Sequence, residues 1–274
     1  MVVEVAGGLL SGSLALLADA GHMLTDSAAL ALAWLAHRAG RLPADEERSY
    51  GYHRAQVLAA LINGGALLLI VGWVMYEAVS RLLEPREVLG GTMLAIAVAG
   101  LVVNVVAYRV LHGGERHNIN VRGALLHVLG DILGSLAAIV AAMIILATGW
   151  MRVDPLLSIL VAMLILRSAW GLVQQSIHIL LEGTPEHIEV AALREALKER
   201  VPSVQDVHHV HAWSLTPERP LLTLHVQVDG RAGNDELLCQ IKSVLAERFH
   251  VYHSTVQIER RQCADVEHAP CPPG

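Results

Sequence analysis

The stretch LLADAGHMLTDSAALALAWLA, which runs from Leu16 to Ala36, decides what kind of protein this chain is. Its residues are mostly small or apolar, and it is about as long as the roughly 20 residues that a helix needs to cross a bilayer. Two titratable residues near its centre, His22 and Asp26, are four positions apart. Because residues i and i+4 share one face of an α-helix, the stretch predicts a membrane span with a polar pair on one side.

The composition of the whole chain indicates a multi-pass membrane protein. Hydrophobic residues make up 54% of the 274 residues and charged residues only 17%, where soluble domains carry about 25%. Apolar windows predict five complete spans, at residues 14–37, 55–79, 88–111, 121–148 and 155–177. The opening run MVVEVAGGLLSGS is too short to cross by itself and predicts the second half of a sixth span, so the first span is expected to be truncated.

Arginine placement predicts which loops face the cytoplasm. Arginines are concentrated after the spans that end near residues 37 and 111, and such loops are typically cytoplasmic. The same alternation places everything after Glu182 in the cytoplasm. The three cysteines are an odd number and all lie late in the chain, which suits a reducing compartment better than a disulfide framework. No basic stripe indicates nucleic-acid binding, so the expected surroundings are a lipid bilayer and no nucleic acid.

The composition changes after residue 182, which predicts a separate soluble domain. Thr184 and Pro185 are typical of the start of a helix, and amphipathic residues 186–201 follow. Two strand-like runs come next, then a helix capped by Asn234 or Asp235, then a last strand. The predicted order α-β-β-α-β is that of a small α+β unit resembling a ferredoxin-like fold. We therefore expect an α-helical membrane bundle at 1–182, a cytoplasmic domain at 183–262 and a flexible Cys/His-containing tail at 263–274.

A second polar pair occurs a hundred residues after the first. His127 and Asp131 are again four positions apart within an apolar run. A charged residue at a helix centre costs about 2.5–3.5 kcal/mol on insertion scales, so two aspartates require a compensating partner. Two imidazoles and two carboxylates suit tetrahedral Zn²⁺, and each helix would supply half of the site. Two alternatives remain open at this point, namely His–Asp hydrogen bonds that serve only packing, and a proton relay without metal.

Five motifs together make the chain resemble the cation diffusion facilitator family, in its zinc-transporting branch. They are LLADAGHMLTD at 16–26, YGYHRAQVLAALING at 50–64, NVRGALLHVLGDILGS at 120–135, DPLLS at 154–158 and VHHVHAWSLTP at 207–217. The resemblance covers essentially the whole chain. It implies a homodimer whose protomers have six spans and a cytoplasmic ferredoxin-like domain, and which moves Zn²⁺ out of the cytosol in exchange for protons.

The resemblance also implies which residues bind metal. It assigns the transport site to His22, Asp26, His127 and Asp131, and it associates a histidine at position 22 with a preference for Zn²⁺ over Cd²⁺. Secondary metal ligands are expected outside the membrane, and a solvent-exposed histidine without metal is the alternative for each of the histidines among them. These candidates are His53, His208, His225, His253, Glu259, Cys263 and Cys271. Since i and i+2 share a face of a strand, His209 and His211 are expected to point together, with His208 pointing away.

The function expected from these features is Zn²⁺/H⁺ antiport at a bacterial inner membrane. An intramembrane metallohydrolase is disfavoured, because the chain has no HExxH helix and no glutamate near either pair. The chain is therefore not expected to be an enzyme. A non-transporting zinc sensor or regulatory subunit is the remaining alternative, because the first span is expected to be incomplete.

Overall fold

The computed structural model describes residues 2–112, 119–229, 233–260 and 263. Within these ranges the side chains of residues 2–4, 19, 22, 25–27, 29, 30, 33, 111, 112, 119–127, 129 and 130 lie outside the description. The elements in chain order are α1 (Val2–Ser11), α2 (Leu14–Gly40), α3 (Ala55–Leu83), α4 (Gly90–His112), α5 (Ile119–Thr148), α6 (Val153–Leu180), α7 (Val190–Arg200), β1 (Val204–Ser214), β2 (Pro220–Val228), α8 (Asn234–Phe249) and β3 (His253–Glu259).

Helices α2 to α6 coincide with the five apolar windows, so the predicted spans are confirmed as helices. Within the described residues, four helical stretches are long and apolar enough to cross a membrane: 55–83, 90–110, 131–148 and 153–180. Large apolar side chains remain exposed along them, for example Leu69 at 78% and Leu164 at 66%. Such exposure is unfavourable in water and favourable in lipid, so these surfaces fit a hydrocarbon surrounding.

The chain divides into two compact units, and the first comprises residues 1–35 and 59–173. Helix α2 packs on two sides within this unit. Leu14 and Ala18 share a core with residues of α3 and α6, whereas Ala15 and Leu16 share a second core with residues of α4 and α5. Gly12, which separates α1 from α2, has φ +72°, a conformation that glycine adopts without a Cβ clash.

The second unit comprises residues 36–58 and 174–274, and most of its core lies in the α+β part. The sheet has the order β1-β2-β3, with β2 antiparallel to β1 and parallel to β3. Helix α8 buries Leu237, Ile241 and Leu245 completely, and these side chains pack on the sheet. The predicted order α-β-β-α-β and the α+β class are confirmed.

Three details of the soluble part differ from the sequence-based expectation. Helix α7 begins at Val190 rather than near Pro185, because the amide of Ile188 bonds to the carbonyl of Pro185 in a separate turn. Helix α8 has Gly233 at its N-cap, so Asn234 is already its first helical residue. The third is an irregularity in β1 between His208 and His211, where the pairing register with β2 shifts. His209 lies within it at φ +46°.

Candidate metal centres

Four side chains with metal-binding atoms converge at one end of the sheet. His208 and His225 face each other across β1 and β2, Glu259 ends β3, and Cys263 follows it. One ligand atom from each of the four lies within 4.8 Å of the others. Three of these residues are half-buried and Glu259 is buried. We call this group the sheet-end cluster.

The Glu259 carboxylate is the centre of the sheet-end cluster. Its Oε2 lies 3.0 Å from His208 Nε2 and its Oε1 lies 3.1 Å from His225 Nδ1. The Cys263 sulfur is 3.5 Å from the same nitrogen of His225. In a tetrahedral zinc site with bonds of about 2.0–2.3 Å, ligand atoms are separated by about 3.3–3.8 Å. The three distances above, 3.0–3.5 Å, are at or slightly below this spacing, and all four ligand atoms lie within 4.8 Å of one another. Two nitrogens, one oxygen and one sulfur are ligands that zinc accepts.

An outer acidic residue orients one ring of the cluster. Asp206 Oδ2 lies 3.3 Å from His208 Nδ1, which leaves His208 Nε2 directed at Glu259. The ammonium of Lys198 donates to Asp206 at 2.8 Å. That hydrogen bond is the largest reason why the pKa of Asp206 lies below its ordinary value, so the carboxyl group stays ionised beside the imidazole. A carboxylate behind a metal-binding histidine fixes its ring and strengthens it as a ligand.

The predicted orientation of the histidines in β1 is wrong. The rings of His208 and His209 are 5.5 Å apart, and the ring of His209 stacks on that of His225 at 4.9 Å. His211 instead lines a separate cavity. The bulge explains the difference, because an extra residue in left-handed conformation breaks the two-residue alternation of side chains. His209 therefore joins the surroundings of the sheet-end cluster, which alternation along the strand could not indicate.

His253 and His53 lie apart from the sheet-end cluster. His253 starts β3, six residues before Glu259, a separation of about 20 Å along a strand. Its ring lies 6.0 Å from that of Tyr50. Both histidines line a cavity of about 400 Å³ together with Arg219 and Tyr252. Among the described residues, the predicted secondary ligands therefore fall into two groups, the sheet-end cluster and the pair His53 and His253.

His53 accepts a hydrogen bond from a cation. Arg219 Nη1 lies 2.6 Å from His53 Nε2. Burial, followed by the positive charge of Arg219, holds the pKa of His53 below its ordinary value. The imidazole is therefore neutral at neutral pH, the form that binds metal, but its Nε2 is occupied by the arginine. Arg219 was not singled out by sequence reasoning, since nothing in the sequence brings it near residue 53.

The two intramembrane pairs are carried by α2 and α5. His22 and Asp26 lie on α2 and His127 lies on α5, and the side chains of all three are outside the described residues. Asp131 is described and is buried, with 7% of its surface exposed. Cys271 lies outside the described residues.

The two aspartates can be related to an apolar core that their helices share. That core includes Ala15 and Leu16 on α2 and extends from Ala138 to Ile145 on α5. At about 1.5 Å per residue, Asp26 lies about 15–17 Å along α2 from its members there, and Asp131 lies about 10–21 Å along α5 from its members there. Each aspartate therefore lies about 10 Å or more along its helix from the shared core.

Two family descriptions match the chain in succession. "Cation efflux transmembrane domain" matches residues 1–181, and "Cation efflux protein, cytoplasmic domain" matches residues 185–261.

Individual relatives match along most of their length. The chain is 50% identical over 266 residues to the zinc transporter ZitB of Pectobacterium atrosepticum, covering 97% of this chain and 83% of the relative. It is 43% identical over 264 residues to the cadmium, cobalt and zinc/H(+)-K(+) antiporter of Bacillus subtilis, covering 94% and 84%. A solved structure, the metal-bound C-terminal domain of the CzcD transporter from Cuprividus metallidurans, matches at 31% identity with a TM-score of 0.25, covering 27% of this chain and 100% of that one.

Proposed function

Since the chain belongs to the cation diffusion facilitator family of cation efflux proteins, we propose that it exports Zn²⁺ from the cytosol in exchange for protons. The observation that carries this proposal is the buried carboxyl group of Asp131 in an apolar helix that shares an apolar core with α2, the helix that carries Asp26. The matched relatives are named as transporters, and none of them supports a non-transporting subunit or an enzyme.

We assign the transport site to His22, Asp26, His127 and Asp131. A buried carboxylate in a span requires a compensating charge or hydrogen bonds, and a divalent cation between two aspartates supplies the charge. Metal ligation requires neutral imidazoles and ionised carboxylates, so a rise in proton concentration on the outer side displaces the metal. Competition between metal and protons for the same four groups is the physical basis of exchange.

We propose that the sheet-end cluster is a second, resident zinc site in the cytoplasm. Its four ligand atoms lie within 4.8 Å of one another, and the carboxylate of Asp206 lies 3.3 Å from the other ring nitrogen of His208. Cys271, His53 and His253 remain candidates for further sites, the last two around their shared cavity.

The division into a membrane part up to residue 182, a cytoplasmic domain to residue 262 and a tail is part of the same proposal. The two family matches, which meet near residue 183, support it. We further propose a homodimer in the bacterial inner membrane, with the spans in contact with lipid through their exposed apolar side chains.

The test is zinc flux into proteoliposomes under an imposed pH gradient. We expect flux that depends on the gradient in the unmodified protein and none in Asp131→Asn, which keeps the side-chain volume. Asp235→Asn, at the exposed start of α8, is the matched control and should transport normally. Absence of flux in the unmodified protein would reject the transport function, whereas normal flux in Asp131→Asn would reject only the site.

A further inference from the structure

The first turn of α2 is closed by a carboxyl group from another helix. Asp154, in the first turn of α6, is completely buried. Its Oδ1 accepts from the Ser13 hydroxyl at 2.6 Å and from the Ala15 amide at 3.3 Å, and its Oδ2 accepts from the Leu14 amide at 2.9 Å. One side chain of α6 thus binds three consecutive residues at the start of α2.

Together with Ser11 and Ser13, this carboxyl group satisfies every amide that the helix start leaves without an intrahelical acceptor. A helix has four such N–H groups at its N-terminus. Here Leu14 and Ala15 donate to Asp154, Leu16 donates to the Ser13 hydroxyl at 3.3 Å, and Ser13 itself donates to the Ser11 hydroxyl at 3.2 Å. The amide of Leu17 makes the first regular helix bond, to the Ser13 carbonyl at 3.3 Å. Ser13 is therefore an ordinary N-cap whose own hydroxyl hydrogen is used by Asp154.

The residues just before α2 are held from two further elements. The guanidinium of Arg81, near the end of α3, donates to the carbonyl of Gly12. The amide of Leu89, just before α4, donates to the carbonyl of Ser11 at 2.8 Å. Arg81 is itself paired with Glu77 at 2.9 Å, and both side chains are largely buried. The start of α2 is consequently tied to the ends of α3, α4 and α6 by polar contacts inside an apolar bundle.

These contacts fix the rotation of α2 about its own axis and its position along that axis relative to the neighbouring helices. Successive residues of a helix point about 100° apart, so two consecutive amides can share one carboxyl group in only one rotational setting. α2 is continuous from Leu14 to Gly40. The setting of its first turn therefore constrains the rotation of the helix backbone at residue 22, eight positions later and about 12 Å away along the axis.

We propose that Asp154 is a positioning residue for transport: by capping α2 from α6, it sets the rotation and height of the pair His22 and Asp26 relative to the pair on α5. This inference rests on the proposed zinc transport. Asp154 itself binds the first turn of α2, about 12 Å along the helix axis from residue 22, so we assign it no role as a metal ligand. Its removal should loosen the geometry of the site and weaken zinc binding, because a metal site tolerates only small displacements of its ligands.

The experiment compares the zinc dependence of flux in proteoliposomes for the full chain and for Asp154→Asn. The amide has the same shape, but its NH₂ group faces at least one donor where a carboxyl oxygen accepted. We expect the KM for zinc to rise about 10-fold or more, the scale of losses when a group that orients metal ligands is removed. Vmax should change much less. Ser13→Ala should raise KM in the same direction, and the double variant should show less than the product of the two effects, because both act through one contact.

Ser158→Ala is the matched control. Ser158 is also completely buried in α6, but its hydroxyl donates at 2.8 Å only to the backbone carbonyl of Asp154 within its own helix. It should leave KM within about twofold, the scatter that we allow for a change remote from the site. A KM unchanged in Asp154→Asn, a loss confined to Vmax, or equal effects of Asp154→Asn and Ser158→Ala would each overturn the proposal.

Two safeguards keep the result interpretable. If Asp154→Asn does not assemble, Ser13→Ala retains the two amide bonds to Asp154 and supplies the same KM test. If the unmodified protein moves no zinc, the transport function fails at that step, whereas zinc flux in the unmodified protein with an unchanged KM in the variants rejects the positioning role alone.

Discussion

Zinc should stabilise the cytoplasmic domain through the sheet-end cluster, and Glu259 should carry much of that effect. A ligand present at 100 times its Kd stabilises the folded state by RT ln(101), about 2.7 kcal/mol. Amide protons of β2 that exchange through domain opening should then exchange about 100-fold more slowly, since exchange reports the free energy of opening. The assay is hydrogen–deuterium exchange of the full chain, with zinc and with chelator, read by mass spectrometry on peptides from residues 220–228.

Glu259→Gln keeps the volume of a side chain that is only 5% exposed, but removes one of four ligands. Removing a group that only hydrogen-bonds to a metal ligand already lowers metal affinity by about 10–100-fold. If the zinc affinity of Glu259→Gln falls by at least that range, the same zinc concentration stabilises the folded domain by only about 1.4 to 0.4 kcal/mol. Protection by zinc should therefore fall from about 100-fold to between about 11-fold and 2-fold. His211→Ala, which removes an exposed imidazole of the same strand, should keep the full protection. Equal zinc protection in Glu259→Gln and the unmodified protein would refute the assignment.

Three further changes have defined outcomes. Arg219→Ala should raise the pKa of His53 towards its ordinary value of about 6.5, measured by NMR titration of the ring, because it removes a neighbouring positive charge; burial should keep the pKa somewhat low. His53 binds a proton more readily in the unfolded chain than in the folded one, so the loop at residues 45–54 of the unmodified protein should gain stability as pH rises towards about 6.5. Its rate of proteolysis should fall over the same range, and a rate that does not depend on pH would contradict this. Ile241→Ala, at a fully buried position of α8, should cost about 2–5 kcal/mol in chemical denaturation of the cytoplasmic domain. His22→Asp should admit Cd²⁺ in the flux assay, and a variant that carries none would reject the selectivity role of His22.

The spans could be predicted closely because their signal is one-dimensional. A helix in lipid must bond all its backbone groups internally and must be long enough to cross, so apolar length alone locates it. The soluble elements followed from periodicity for the same kind of reason. The ends of these elements did not follow from periodicity. The pair Thr184 and Pro185 is typical of a helix start, but in the structure Pro185 begins a separate turn before α7.

The candidate sites were only partly predictable. His208, His225, Glu259 and Cys263 were each predicted as candidate ligands, but their convergence, and the separation of His253 from them, depend on strand register. The bulge at His209 reversed the expected facing of two histidines. The cap of α2 by Asp154 joins residues 140 positions apart, and no local pattern encodes such a contact.

At position 209, the left-handed backbone conformation favours glycine, whereas the histidine present there packs its ring on His225, a member of the sheet-end cluster. A residue other than glycine in this conformation costs about 1–3 kcal/mol, and glycine would adopt it without strain. Improving the domain for heat resistance alone would therefore replace this histidine, and would remove the ring that stacks on His225. Selection for thermal stability would therefore favour glycine at position 209, and selection for the intact surroundings of the sheet-end cluster would favour histidine.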